Sequence, residues 1–306
     1  MDLALNPDQI AILDALDGLT RSYAAVPLHE TGFALTDASL DRELAEGGFL
    51  DVGFDPDLGA VTAAIVTERL ARLPQASETA LSLLVRPLLG ENVKGPICIV
   101  REGRNDRLLR FLRAGATVVM VGDHCVSSFT ATAEMVRPEP DALYGYPMAT
   151  LLVDPEAQLL TDHFGDPTEL RTRWRVAMAA EAAGLLAAAL ASVCAHTADR
   201  QQFGRPLATF QALRHRLAEA QVRTNGVYWL ALKAAASLDP GDAALALHHA
   251  QESARACVYD FHQFLGAMGM TLEHPLHLWT YRLKALIGEL GGRGGQALAA
   301  ADAIWG

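Results

Sequence analysis

Apolar residues recur at helical spacing over the first and last thirds of the chain, and in short β-branched runs between them. Near the N-terminus, Ile10, Leu13, Leu16 and Leu19 stand three apart behind Asn6-Pro7-Asp8. Asn6 suits a helix cap and Pro7 its first turn. The rhythm returns over Leu40–Leu50 and Ala60–Leu73, separated by Gly47-Gly48 and by Asp55-Pro56-Asp57-Leu58-Gly59. From about residue 93 the pattern changes. Ile97–Val100 and Thr117–Val121 are bounded by Gly and Pro, and Ser127–Val136 and Met148–Val153 also read as strands. Pro138, Pro140, Gly145 and Pro147 mark turns. Helical spacing resumes at Asp166-Pro167-Thr168-Glu169, with Asp166 as cap and Glu169 three residues on. That helix is expected to reach Ala198, with Ala179, Ala183, Gly184 and Ala187 forming a narrow face for a neighbour. Further helices are expected over Ala208–Leu238, Asp242–Leu265 and after Pro275, with Asp239-Pro240-Gly241 as a stop. Long helices with short joints predict an antiparallel four-helix bundle. The fold class is therefore mainly α with a small β module, divided into an N-terminal helical domain (1–92), a β domain (93–165) and a C-terminal bundle (166–306).

Composition narrows what such a fold can do. The chain has 306 residues, 51% hydrophobic and 20% charged, enough to bury a sizeable core. A net charge of −11 argues against nucleic acid and anionic membrane as partners. It also means that any anionic ligand must meet positive charge concentrated locally. Cys98, Cys125, Cys194 and Cys257 have no paired spacing and read as reduced thiols, with no metal site expected. The first residues, MDLALNPDQI, lack a charged-then-apolar leader pattern. No uninterrupted apolar run reaches the ~20 residues of a membrane span, because Ser192 and His196 break the Ala-rich stretch after Glu181. A soluble, cytoplasmic protein is expected.

The chemistry concentrates at the joint between the first two bundle helices, Asp199-Arg200-Gln201-Gln202-Phe203-Gly204-Arg205-Pro206-Leu207, followed by Phe210-Gln211 and His215. Gly204 and Pro206 satisfy the needs of a turn. A turn does not also require an Arg, an amide pair and a Phe. Arg200 offers a planar bidentate donor of the kind a pyrophosphate favours. Gln202 adds amide donors, and Phe203 an aromatic edge for ribose or adenine. A second segment runs from His262-Gln263-Phe264-Leu265-Gly266-Ala267-Met268-Gly269 through Met270-Thr271-Leu272-Glu273-His274-Pro275. Its glycines close a helix and let backbone approach a ligand.

These two segments resemble the C-terminal domain of acyl-CoA dehydrogenases, which carries R-x-x-F-G-x-P-L then F-Q, and later Q-x-x-G-G-x-G-(F/Y)-T-x-E-x-P. The resemblance implies FAD as cofactor, with Arg200, Gln202 and Phe203 on the pyrophosphate and adenosine half of a flavin bound by a neighbouring subunit. It places Gln211, Gln263 and Gly266 near the same cofactor. Ala267 departs from the family's second glycine. The family reaction is α,β-dehydrogenation of an acyl-CoA thioester. Glu68-Arg69-Leu70 and Pro74 also follow the rhythm of the family's N-terminal domain.

The departures are equally informative. The middle module lacks the family's T-E-P-x-x-G-S-D segment and its Trp-containing flavin strand, so a reduced β domain is expected. The catalytic residue stays unidentified. One family base position falls on Leu290, one residue from Glu289; the alternative falls on Trp174, before Arg175. Glu181 lies two turns further along and reads as structural. His248, His249 and Glu252 lack the paired Glu-x-x-His of a di-metal bundle. The glycines of 288–295 lack the Gly-Lys-Ser/Thr of a phosphate loop. Three readings remain. The chain is a subunit that shares a FAD site with a second, full-length acyl-CoA dehydrogenase, as in bacterial α2β2 members acting on bulky esters such as sterol side chains. Alternatively it is a non-catalytic scaffold for such a partner, or a self-sufficient enzyme with an unusual base such as Glu289.

Overall fold

The computed structural model describes residues 4–26, 33–103, 108–164 and 166–306. The first residues of the N-terminal segment and Gly165, the end of the expected β domain, lie outside the described residues. The chain opens with α1 (Pro7–Thr20), α2 (Ala38–Glu46), α3 (Gly59–Ala71), α4 (Ala80–Leu84) and α5 (Arg86–Leu89). Asn6 caps α1 as its sequence predicts, accepting from the Gln9 N–H at 2.8 Å, while the Gln9 side chain accepts from the Asn6 N–H at 3.0 Å. The expected helix at Leu40–Leu50 is shorter: Gly48, at φ +73°, ends the turn after α2, and a 3₁₀ segment follows over Phe49–Phe54.

Seven strands follow: β1 (Ile97–Arg101), β2 (Leu108–Arg110), β3 (Thr117–Val121), β4 (Val126–Thr130), β5 (Val136–Pro138), β6 (Met148–Leu151) and β7 (Thr161–Phe164). They form a sheet ordered β1-β3-β4-β7, with β1 and β3 parallel and the rest antiparallel, and an antiparallel sheet ordered β2-β6-β5. The expected strand Ser127–Val136 is in fact two strands in different sheets, joined by a 3₁₀ turn over Ala133–Met135. All of β3 is buried because it separates two cores. Val119 and Val121 face the helical core, whereas Val118 and Met120 face a smaller core shared with Leu109, Phe129 and Leu151. Alternate residues on a strand point to opposite sides, so a strand covered on both faces reads as a continuous apolar run.

The C-terminal part comprises α6 (Thr168–Asp199), a hairpin of β8 (Gln201–Gln202) and β9 (Arg205–Pro206), α7 (Gln211–Ser237), α8 (Pro240–Leu265), α9 (His277–Ile287) and α10 (Gly292–Trp305). Asp166 accepts from the Thr168 N–H at 2.9 Å, and Glu169 pairs with Arg173. The fourth helix expected after Pro275 is α9, which ends at Ile287, and a further helix, α10, follows it. Leu290, Gly291 and Gly292 have φ of 54°, 88° and 65°, a left-handed run that no α-helix continues through. By length and composition α6 is apolar enough to cross a membrane, which corrects the expectation from its interrupting polar residues. It serves as the central core helix: 78% of its most apolar window is buried. Gly184 lets α3 press against it, since a Cβ there would sit 2.1 Å from the Glu68 carbonyl oxygen. Arg282 on α9 ties the bundle to the N-terminal helices. Its buried guanidinium donates to the carbonyls of Leu73 (2.6 Å), Gln75 (3.1 Å) and Leu278 (2.6 Å).

Candidate functional site

The α6–α7 joint is a tight hairpin with Phe203 (φ 55°) and Gly204 (φ 77°) at its tip. Two successive positive φ values match the turn that joins twisted strands most directly. Gly accepts that conformation freely, but Phe does so rarely. The tip is held at its base, where the Leu207 N–H donates to the Arg200 carbonyl at 2.9 Å. Phe203 meets Phe210 edge-on at 6.0 Å, and the Arg205 guanidinium lies over the Phe210 ring at 4.1 Å. Phe203 is nonetheless 86% exposed. Arg200, Gln202 and Gln211 are exposed too, and Arg200 has no ion pair among the described residues. An aromatic ring in a strained backbone position, on the same hairpin as an unpaired guanidinium and an amide, is displayed toward solvent.

Gln263 and Gly266 lie together in an open cavity of about 930 Å³ bounded by the end of α8, the turn after it and α9. Gly266 has φ 61° and open space where a Cβ would stand, leaving its backbone approachable. His262 pins the turn by bonding the Gly269 carbonyl and the Thr280 hydroxyl. Burial lowers the His262 pKa and keeps the ring neutral near pH 7. Arg200, Gln202, Phe203 and Gln211 do not line this cavity. The joint adjoins the same end of the bundle through two contacts. The His196 and His274 rings meet edge-on at 5.3 Å, and Arg216, one turn beyond Gln211, pairs with Asp260, just before Gln263. Burial, and then the neighbouring His196, push the His274 pKa down to about 4.

A second cavity, of about 520 Å³, lies between the β module and the bundle. Trp174 and Leu290, the two positions onto which the resemblance maps a base, both line it, so the fold brings together what the sequence separates by more than three helices. Glu289 is the one carboxylate among its lining residues. Glu289 is not free to act as a plain base, because the Arg110 Nε lies 3.5 Å from its Oε1. Arg110 also pairs through Nη1 with Glu181 Oε2 at 2.9 Å, and it lies 5.0 Å over the Tyr146 ring. The Tyr146 hydroxyl donates to Glu181 Oε1 at 2.7 Å. Burial disfavours the charge on Arg110, but Glu181 and the other acidic neighbours outweigh it and raise its pKa. Burial, and then the charge of Glu181, raise the Tyr146 pKa well above its ordinary value, so it stays a donor. Arg110 and Tyr146 went unread in the sequence. The signal was an arginine inside the apolar run Leu108-Leu109-Arg110-Phe111-Leu112. Glu181 has the structural place expected of it.

The histidine and acid pattern on α8 is engaged elsewhere: His248 bonds the Arg293 carbonyl, and Glu252 pairs with the Arg293 side chain. Among the described residues no group of three metal-ligating side chains gathers.

The donor set on the joint and at the end of α8 suits the phosphate-bearing half of a dinucleotide. It supplies a guanidinium without a counter-ion, side-chain amides, an aromatic edge and an open glycine. Arg200, Gln202, Phe203, Gln211, Gln263 and Gly266 are all exposed. Residues 170–292 match the model of the acyl-CoA dehydrogenase C-terminal domain. Over 284 residues the chain is 26% identical to acyl-CoA dehydrogenase IpdE2 of Mycolicibacterium smegmatis, covering 83% of this chain and 90% of that one. Its fold is similar to a chain of the Tcur3481-Tcur3483 steroid ACAD G363A variant, with a TM-score of 0.74, 20% identity and 97% of each chain covered. It is also similar to a chain of the ChsE4-ChsE5 complex from Mycobacterium tuberculosis, with a TM-score of 0.73, 19% identity, and 99% of this chain and 98% of that one covered. Residues 170–292 thus match an acyl-CoA dehydrogenase C-terminal domain, and the fold of the whole chain is similar to that of acyl-CoA dehydrogenases.

Proposed function

We propose that this chain is one subunit of an acyl-CoA dehydrogenase and supplies part of an interfacial FAD site completed by a second, fuller chain. The observation that carries this reading is the division of its chemistry. The exposed joint presents Arg200, Gln202 and Phe203 outward, while the cavity where a base belongs holds Trp174, Leu290 and a Glu289 engaged by Arg110. A base must reach the α-proton of the thioester without a competing cation holding it. Bound FAD supplies the acceptor for the β-hydride. The chain's own part is to hold the cofactor. Arg200 and Gln202 bind its diphosphate, Phe203 packs against its adenosine, and Gln211, Gln263 and Gly266 complete the face. The helical segment 1–92 and the β segment 93–165 serve as the frame, and 166–306 as the cofactor-bearing bundle. The steroid member and the two-component complex among its structural neighbours support a steroid-type acyl-CoA substrate and a heteromeric assembly. Cytoplasmic residence fits four cysteines that are all free.

The ion pair at Glu289 gives the scaffold reading its weight: a chain without a usable base can stabilise an active partner and bind no flavin. One experiment separates the readings. Co-purified with a partner chain, the assembly is expected to carry bound flavin, whereas the chain expressed alone is expected to be flavin-poor. Arg200→Ala in the assembly is expected to lower flavin content several-fold. Unchanged flavin content refutes the site, and a yellow, active protein made from this chain alone refutes the need for a partner.

A further inference from the structure

The turn between α9 and α10 follows a path that its own sequence does not favour. Leu290, Gly291 and Gly292 all take positive φ, at 54°, 88° and 65°. Glycine accepts such values freely, but a residue with a Cβ does so at a cost. A strained non-glycine residue persists only where its surroundings fix it. Two buried amides do so here. Gln251 on α8 is 1% exposed, and its Nε2 donates to the carbonyls of Leu286 at 2.9 Å and Glu289 at 3.1 Å. Gln296 on α10 is equally buried, and its Nε2 donates to the Leu290 carbonyl at 2.6 Å. The Arg175 Nε on α6 donates to the Gln296 Oε1 at 2.9 Å, which turns the Nε2 of that amide toward the turn. Carbonyls at a helix end lack intrahelical partners, so a side-chain amide that reaches them steers the chain that follows.

The bonds fall where they govern Leu290. Its φ and ψ are rotations of the two peptide planes on either side of its Cα, and the carbonyls of both planes, Glu289 and Leu290, are held by buried amides. An ordinary helix end would place a glycine in the left-handed position, and Gly288 and Gly291 stand on either side. The path so fixed carries Glu289 toward the β module, where its Oε1 lies 3.5 Å from the Arg110 Nε. We propose that Gln251 and Gln296 are positioning residues for Glu289. By fixing the planes around Leu290 they hold the turn on the path that brings Glu289 to Arg110, and so keep a carboxylate of the 520 Å³ cavity engaged. Loosening the clamp frees that carboxylate to meet a ligand in the cavity. The assignment rests on the reading above of this cavity as the place of a base, and it involves none of the flavin contacts.

Carboxylate labelling of the purified assembly tests it. A water-soluble carbodiimide activates accessible carboxylates, an added amine captures them, and mass spectrometry compares the product at Glu289 with that at the exposed Asp57. Gln251→Met keeps the length of the side chain and removes its amide. Gly292→Ala disturbs the same turn from the backbone, since φ 65° with ψ −167° suits glycine alone and a Cβ there would lie 3.2 Å from the Ile287 carbonyl oxygen. Each variant is expected to raise labelling of Glu289 several-fold relative to Asp57. A lowered thermal midpoint with an unchanged labelling ratio makes the clamp merely structural and overturns the proposal, as does wild-type labelling of Glu289 equal to that of Asp57. If Gln251→Met does not fold, the ratio in Gly292→Ala decides. Flavin content is read on the same samples. Bound flavin with an unchanged ratio leaves the cofactor reading standing and removes this inference alone, whereas a wild-type assembly without flavin removes the cofactor reading whatever the ratio.

Discussion

Arg110 is the test of how the β module and the bundle hold together. Its side chain is 11% exposed and pairs with Glu181, at 7%, and Glu289, at 25%. Arg110→Leu keeps an apolar stem over Tyr146 but leaves two carboxylates without their cation. Removing one partner of a buried pair costs about 3–5 kcal/mol, because the remaining charge is uncompensated. Glu289 can recover hydration through its exposure, and Glu181 keeps one donor in the Tyr146 hydroxyl. The loss should therefore fall near the lower end, about 3 kcal/mol, and come mainly from Glu181. Adding Glu181→Gln removes that charge while keeping an acceptor for Tyr146, and about 2 kcal/mol should return. Urea unfolding followed by circular dichroism measures both changes. A loss under about 1 kcal/mol, or a double variant no more stable than the single one, refutes the account.

Two further outcomes are expected. Gly184→Ala raises helix propensity, yet its Cβ would lie 2.1 Å from the Glu68 carbonyl oxygen and 2.8 Å from the Ala71 Cβ, so α3 must shift. A net destabilisation of about 1–3 kcal/mol should lower the thermal midpoint, and a raised midpoint would show that α3 yields freely. His274 has a pKa of about 4 in the folded chain, set by burial and by the neighbouring His196 and His277. The unfolded chain then binds a proton that the folded chain does not between about pH 6.5 and that value. Stability present above about pH 6.5 should decline on acidification, by on the order of 1 kcal/mol once solvent screening of the half-buried ring is taken into account. His274→Asn should flatten that decline in urea titrations; an identical slope would remove His274 as its cause.

Helices were the legible part of the fold. Asn6-Pro7, Gly48 and Asp239-Pro240 punctuate them through local chemistry, which acts within a turn or two and needs no tertiary partner. The breaks that depended on the rest of the molecule were harder to see. Ser127–Val136 reads as one strand because β propensity cannot register a chain that leaves one sheet for another. The helix that follows the glycine-rich turn, α10, was not read, although the turn itself was, where Leu290 takes a left-handed conformation that nothing in its own side chain favours. Polar residues within α6 argued against a membrane-length apolar helix, but packing around α6 buries most of its length regardless.

The same division holds at the site. Residues close in sequence, such as Arg200, Gln202, Phe203 and Gly204, declared themselves as a motif because their spacing alone sets a tight turn and the groups it displays. Their exposure among the described residues is a fact of tertiary structure. So is the convergence of Trp174, Glu289 and Leu290 on one cavity, and the capture of Glu289 by an arginine from an edge strand. By itself the sequence determined the helical framework, the β interruption and a cofactor-binding motif, all written in short-range periodicity. Only the folded chain decided which charges neutralise each other and which remain to meet a ligand. Those pairings join residues far apart along the chain, and distance in space, on which electrostatic energy depends, is set by packing.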